Sequence, residues 1–395
     1  MSQHDVVIVS GVRTAIGAFG GSLSGFSLGE LASAVSREAL SRSAVDPAAV
    51  GHVVMGNVIH TDPRDMYLAR VAALEAGLGV ETPALTLNRL CGSGLQAVLT
   101  AASYIRSGET ACTLAGGGES MSRAPHWLPA SRWGQRMGDM RAIDAMVGAL
   151  TDPFEGCHMG VTAENIAAKW GISKEAQDAF ALESHRRAVA AQEAGLFQSQ
   201  ILPLAQTTKK GEVVFDRDEG PRRQLDPDRL AAMRPAFQRD NGTVTAGNAS
   251  TLNDGAAALV LMDRAYADTH GHAYQARLVA GTVVGVDPRY MGIGPVPAIQ
   301  KLLATAGVTR QEIDLWELNE AFAAQALAVI QDLDIDPARV NPNGSGISLG
   351  HPIGATGAIL VVKAIHELAR TGGRYAVVGM CIGGGQGIAA LLERC

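Results

Sequence analysis

The 395-residue sequence has no long apolar run; nothing in it approaches the ~18 consecutive apolar residues that a membrane span requires. It also lacks an excess of positive charge. Lys and Arg number 33 against 39 Asp and Glu, a formal net charge of −6, which excludes broad nucleic-acid binding because phosphate contacts demand a basic surface. Cysteine is sparse, at positions 91, 112, 157, 381 and 395 with no C-x-x-C pair, and an odd count in a long chain reads as free thiols in a reducing compartment. There is no Gly-Lys dipeptide for a P-loop, GGGQG (383–387) lacks the dinucleotide-fingerprint spacing, and H-E-x-x-H is absent. Nucleotide hydrolysis and zinc chemistry are left without residues. GISLG (346–350) has the form of a hydrolase elbow, but no Asp or Glu lies between Ser348 and His366, the last histidine, so a Ser–acid–His order cannot be completed. MSQHDVVIVSG at the amino terminus shows no charged leader region and LLERC matches no anchor or peroxisomal signal, so the cytoplasm is the expected location.

What is present in excess is glycine, 46 of 395 residues, against a usual ~7%. With 47% hydrophobic residues the chain still folds, so its glycines are placed rather than disordered. The length predicts two domains or one domain duplicated. Residues 5–10, 53–58 and 111–115 read as short buried strands, with helices starting near Ser27 and Gly94. Ser27 and Glu30 form a capping box ahead of Leu28, Leu31, Ala32, Val35 and Ala39 on one face. The same order returns as strand 277–284, a helix from Pro297, strand 313–318, a helix from Gly357 and strand 375–380. Val45 and Val308, Val50 and Ile313, and Gly94 and Gly357 all stand 263 residues apart, which predicts an internal duplication. Between the halves, at 122–250, lies an insertion with an amphipathic helix from Ser173 to about Ala194. Its 209–239 stretch carries eight Lys/Arg and six Asp/Glu, a solvated loop on its face.

Cys91, in NRLCGSGLQA (88–97), falls where a helix should begin, and a helix amino terminus stabilises thiolate and lowers a thiol's pKa. Gly92 and Gly94 are expected to open access to the sulfur. The alternative is a small buried residue packing a helix start. At the offset of 263, Asn88 corresponds to His351, enclosed by the glycines of GISLGHPIGATG and suited to act as a base or hydrogen-bond donor. Cys381 precedes a glycine run whose amides can form an oxyanion hole, or is simply a buried strand end. Asn319 in LNEAF either holds a water or caps the helix that follows.

Four blocks in this order, NRLCGSG, NEAF, GHPIGATG and CIGGGQG, resemble the thiolase family, as do RTAIGAFGG (13–21), HMGVTAEN (158–165), TAGNASTLNDGAA (245–257) and MGIGPVPA (291–298). The resemblance spans nearly the whole chain. It implies an α/β thiolase fold, with duplicated βαβαβαββ halves in a five-layered α-β-α-β-α arrangement. The halves are 1–121 plus 251–274 and 275–395, and 122–250 is an inserted loop domain for coenzyme A (CoA) binding and oligomer contacts.

By the same resemblance Cys91 is the nucleophile that accepts an acyl group from acyl-CoA, His351 activates it, and Cys381 is the acid/base. Asn319 holds a water, and the N–H groups of Cys91 and Gly383 form the oxyanion hole. Leu150, His158, Met159, Arg222, Phe237, Ala246, Ser250, Met291 and Phe322 match substrate-pocket positions. The implied activity is a β-ketothiolase that condenses acetyl-CoA with acetyl-CoA or a short acyl-CoA to 3-ketoacyl-CoA and CoA. It needs no metal or redox cofactor, and the family implies a homotetramer built from dimers, without membrane or nucleic-acid partners. A degradative thiolase of longer chains is the alternative within the family. A non-catalytic acyl-CoA or lipid carrier is the alternative outside it. Arg229 departs from the small residue usual in related acetyltransferases. Ser345 and Ser348 also depart from the commoner form of their segment, and are expected to bear on chain length.

Overall fold

A computed structural model describes residues 4–208 and 211–395. Its first half builds β1 (Val6–Thr14), β2 (His52–Gly56), β3 (Ala84–Leu87), β4 (Cys112–Ser120) and β5 (Asn253–Asp263), hydrogen-bonded in the order β3-β2-β4-β5-β1. The second half builds β6 (Ala276–Gly285), β7 (Ile313–Leu318), β8 (Tyr375–Ile382) and β9 (Gln386–Arg394), in the order β7-β8-β9-β6. Val340 bridges to Trp316 of β7 in parallel, where β3 stands in the first half. The principal helices are α1 (Leu28–Ser43), α2 (Ser93–Arg106), α3 (Met159–Trp170), α4 (Lys174–Glu193), α5 (Pro295–Ala306), α6 (Ala323–Leu333) and α7 (Thr356–Thr371).

The duplication holds element by element: α2 and α7 begin at 93 and 356, and β4 and β8 at 112 and 375, each pair 263 apart. Helices α2 and α7 pack on each other between the two leaves, α1 covers one outer face, and α5 and α6 cover the other. That is the five-layered α-β-α-β-α arrangement. The leaves are also joined edge to edge. Val7 pairs with Arg277 and Ile8 with Ala276, which makes one eleven-stranded sheet among the described residues.

Local sequence accounts for the elements. Ser27 accepts from the Glu30 N–H and Glu30 from the Ser27 N–H, so the capping box starts α1 as expected. Strand β4 runs past the expected 111–115 because Gly116 and Gly117 carry it under neighbouring backbone. A Cβ there would stand 2.1 Å from the Ala257 carbonyl oxygen and 2.3 Å from that of Gly354. Gly94 and Gly357 mark the crossing of α2 and α7, where a Cβ on Gly94 would lie 2.7 Å from the Ala358 nitrogen and one on Gly357 2.3 Å from that of Leu95.

The insertion leaves and re-enters between antiparallel neighbours, with Ser120 of β4 opposite Asp254 of β5. Helix α4 has the expected limits, with Ser173 as its amino-terminal cap and Ala194 as its carboxyl-terminal cap. It is not conventionally amphipathic. Its buried face is Gln177, Asp178, Ala181, Ser184, His185, Ala188 and Ala191, small and polar residues: Gln177 and Asp178 bond to Thr243 and Asn248 within the insertion, and Ser184 to Glu320 and Ser348 of the second half. A fully buried ion pair fastens the insertion: Arg13 donates to both Asp218 oxygens, at 2.7 and 3.0 Å, and to Gln200 at 2.8 Å.

Candidate active site

Cys91 lies between β3 and α2. Leu90 before it holds φ +44°, a left-handed conformation uncommon outside glycine, and the Asn88 side chain accepts the Leu90 N–H at 2.7 Å to fix it. This turn aims the half-buried thiol. The backbone N–H groups of Gly383 and of Cys91 itself favour its thiolate, yet burial pushes its pKa up to about 11. The lowering expected from the helix terminus is thus overridden by desolvation. Gly92 and Gly94 also serve a different end from the expected access: Cβ atoms there would strike Ile382 and the α2–α7 crossing, so both are required by packing.

His351 is 5% exposed. Its backbone N–H donates to Asn253 Oδ1 at 2.8 Å, its Nδ1 lies 2.7 Å from Thr356 Oγ1, and its Nε2 lies 3.3 Å from Asn319 Nδ2. Burial drives the imidazole pKa down to about 4, so the ring is neutral at pH 7. Asn319 does not cap a helix, because the residue preceding α6 is Phe322. Its Oδ1 is buried without a hydrogen-bond partner. Cys381 closes β8 and is 1% exposed; burial first, and then the nearby Cys91 thiol, raises its pKa strongly.

The glycines that follow divide their work. Gly384 and Gly385 take φ +81° and +87° in the turn to β9. Gly383 instead faces the site, where a Cβ would meet the Met159 methyl at 2.8 Å.

Cys91, His351, Cys381 and Gly383 line one cavity of about 680 Å³. Leu150, Met159, Met291 and Phe322 form apolar parts of its wall. His158 stacks on Phe237 at 4.6 Å, and Phe237 meets Phe322 edge-on. Arg222, Ala246 and Ser250 also line it, the first two exposed to solvent. Asn319 does not line it and reaches it only through His351.

Arg229 lies on an exposed turn of helix outside the cavity, and Lys209 and Lys210 of the basic stretch lie outside the described residues. Ser345 and Ser348 do not line the cavity either, contrary to the chain-length expectation. Ser345 donates to the Leu318 carbonyl at 3.0 Å, and Ser348 Oγ is 2.8 Å from Ser184 of α4, which donates to Glu320 at 2.6 Å. They brace the segment around Asn319.

Two contributors carry no sequence signal of their own. Thr356 looks like an ordinary helix-start residue and touches His351 only in the fold. Glu119, at the end of a glycine run, is fully buried. It accepts the N–H groups of Val58, Ile59 and Gly354 at 3.1, 3.0 and 2.9 Å and the Asn57 amide at 3.0 Å, tying the His351 loop to the first half. Burial lifts its pKa to about 8.

Comparison with known proteins agrees with this geometry. Residues 6–265 match the family model for the thiolase amino-terminal domain and residues 272–394 that for its carboxyl-terminal domain. The chain is 60% identical to the β-ketothiolase BktB of Cupriavidus necator over 99% of both chains. It is 48% identical to an acetyl-CoA acetyltransferase of Pseudomonas aeruginosa over 99% of this chain and 100% of that one. The crystal structure of human mitochondrial 3-ketoacyl-CoA thiolase in complex with CoA superposes with a TM-score of 0.96 at 43% identity, covering 100% of this chain and 98% of that one. Duplicated halves, a cavity lined by two thiols and an imidazole, and both domain models together show that the chain belongs to the thiolase family.

Proposed function

We propose that the protein is a β-ketothiolase, joining acetyl-CoA to acetyl-CoA or a short acyl-CoA and running the reverse thiolysis. One observation carries the reading: Cys91 shares a cavity with His351, Cys381 and Gly383. At rest both thiols and the imidazole are neutral. As Cys91 Sγ attacks the thioester carbonyl, its proton passes to His351 Nε2, the new oxyanion takes the N–H groups of Cys91 and Gly383, and CoA departs as thiolate.

The departing CoA thiolate takes the hydrogen of Cys381, and the Cys381 thiolate so formed removes a proton from the methyl of the second acetyl-CoA, the burial that raises its pKa making it a strong base. The enolate oxygen is held by the His351 Nε2–H and a water on Asn319, whose unpartnered Oδ1 supports that role. The enolate carbon attacks acyl-Cys91, forming the new C–C bond and releasing the sulfur. Leu150, His158, Met159, Arg222, Phe237, Ala246, Ser250, Met291 and Phe322 bind the CoA thioester, which is substrate; no metal or redox cofactor takes part. The test is intact mass after brief mixing with acetyl-CoA. The wild type gains one acetyl group and Cys91→Ala gains none; an unmodified wild type overturns the reading.

A second reading, preference for longer acyl groups, is favoured by the apolar cluster of Met121, Met146, Leu150 and Ile353 packed beside Cys91. Thiolysis rates from acetoacetyl-CoA to longer 3-ketoacyl-CoA decide between the two. We take 1–121 with 251–274 and 275–395 as the two halves and 122–250 as the inserted CoA-binding and oligomer-contact unit of a cytoplasmic homotetramer. Trp133 and Met137, 88% and 89% exposed in that unit, support its role in subunit contact.

A further inference from the structure

An imidazole can take a proton at Nε2 only if that nitrogen carries a lone pair, which requires the ring hydrogen to sit on Nδ1. In a buried site the partner of Nδ1 decides which tautomer is present. Nδ1 of His351 lies 2.7 Å from Thr356 Oγ1, and that oxygen lies 2.9 Å from the Pro352 carbonyl oxygen. A carbonyl oxygen only accepts, so the single hydroxyl hydrogen of Thr356 points to Pro352. Its lone pair is then left for a hydrogen on Nδ1.

The opposite assignment, with Thr356 donating to Nδ1, would set the hydroxyl and carbonyl oxygens 2.9 Å apart with no hydrogen between them and make one hydrogen bond fewer inside a buried site. It would also turn an Nε2 hydrogen toward the Asn319 Nδ2, itself a donor, 3.3 Å away. Thr356 is held firmly for this task. It sits in the first turn of α7, is 3% exposed, and its backbone N–H also donates to the Pro352 carbonyl at 2.9 Å. The loop that carries the histidine thereby supplies the acceptor that orients its own tautomer-setting hydroxyl.

We propose that Thr356 is a positioning residue that fixes His351 in the Nδ1–H tautomer and so presents the Nε2 lone pair to the Cys91 thiol. It touches neither substrate nor the reacting sulfur. In the acylation step the Sγ–H bond of Cys91 breaks, the Nε2–H bond forms, and the Nδ1 hydrogen stays on Nδ1, donated to Thr356 Oγ1 throughout, so the imidazolium that results keeps Thr356 as the partner of that hydrogen. The inference rests on the reading of His351 as the base.

Three variants and one spectrum test it. In Thr356→Val the near-isosteric side chain keeps the packing but removes the acceptor. Acetylation of Cys91 by acetyl-CoA, followed by rapid mixing and mass spectrometry, is expected to slow by roughly 10- to 100-fold, the loss of a buried hydrogen bond to a catalytic group. Thr356→Ser, which restores the hydroxyl, is expected to recover the rate to within about threefold, a rescue that shape alone does not give. His351→Ala supplies the control. If it acetylates as fast as the wild type, the base reading has failed; if it is slow while Thr356→Val matches the wild type, the positioning role has failed. The 15N spectrum of histidine-labelled wild type needs no variant to fold: a protonated Nδ1 and bare Nε2 for His351 are expected, and a protonated Nε2 overturns the proposal.

Discussion

At the scale of single residues, the site is governed by burial. His351 was legible because glycines and Pro352 frame it in the sequence, and Cys91 and Cys381 because each stands at the junction of an element and a glycine. Their ionisation was not legible. A helix terminus argues for a low thiol pKa, whereas the folded site withdraws the sulfur from water and raises it to about 11.

Burial also sets the acid behaviour. The imidazole of His351 titrates near 4 when folded and about 6.5 when unfolded, so the unfolded chain binds the proton first. The stabilisation is fully present above the unfolded value and is lost as pH falls toward the folded one. Urea denaturation at pH 8 and pH 5 should show His351 accounting for about 2 kcal/mol of lost stability, and His351→Asn should flatten that part of the dependence. Gly383 tests the site from its other wall. Its added Cβ would meet the flexible ends of Met159 and Leu90 and no backbone, so Gly383→Ala should fold within a few degrees of the wild-type Tm while kcat/KM falls at least tenfold. Equal losses in both would make this glycine a folding residue.

At the scale of elements, apolar periodicity marks the helices and the regular strands, and the repeat offset of 263 pairs α2 with α7 in the sequence itself. It failed where glycine replaced the apolar signal. Gly116 and Gly117 lie inside β4 because neighbouring backbone leaves no space for a side chain, a requirement set by the partner strand and the Gly354 loop rather than by β4 itself. The α2–α7 crossing makes the same demand symmetrically. Gly94→Ala and Gly357→Ala should each destabilise by roughly 1–3 kcal/mol in urea titration. Because the two methyl groups would press on one shared contact, the double variant should not lose the sum of the two. Additive losses would mean that the helices separate locally rather than sharing one seam.

At the scale of the whole molecule, the two halves were legible as a duplication, but their edge-to-edge union through Val7 and Ile8 was not, since it depends on pairs 270 and 268 residues apart. The fastening of the insertion was equally hidden: Arg13 belongs to a motif in the first half, and its partner Asp218 lies in the stretch that read as a solvated loop. Arg13→Met would strand a buried carboxylate, at a cost of about 3–5 kcal/mol. Because Gly220 and Arg222 follow directly and line the cavity, KM for CoA should rise alongside; an unchanged KM would detach the ion pair from substrate binding.

Ser120 and Asp254, facing each other on paired strands, give the insertion entry and exit points side by side, the geometry of a hairpin whose turn has been greatly enlarged. Closing such a loop depends only weakly on its length. The segment that lines much of the cavity is therefore closed at little entropic cost for its length, and the two strands it joins keep their register.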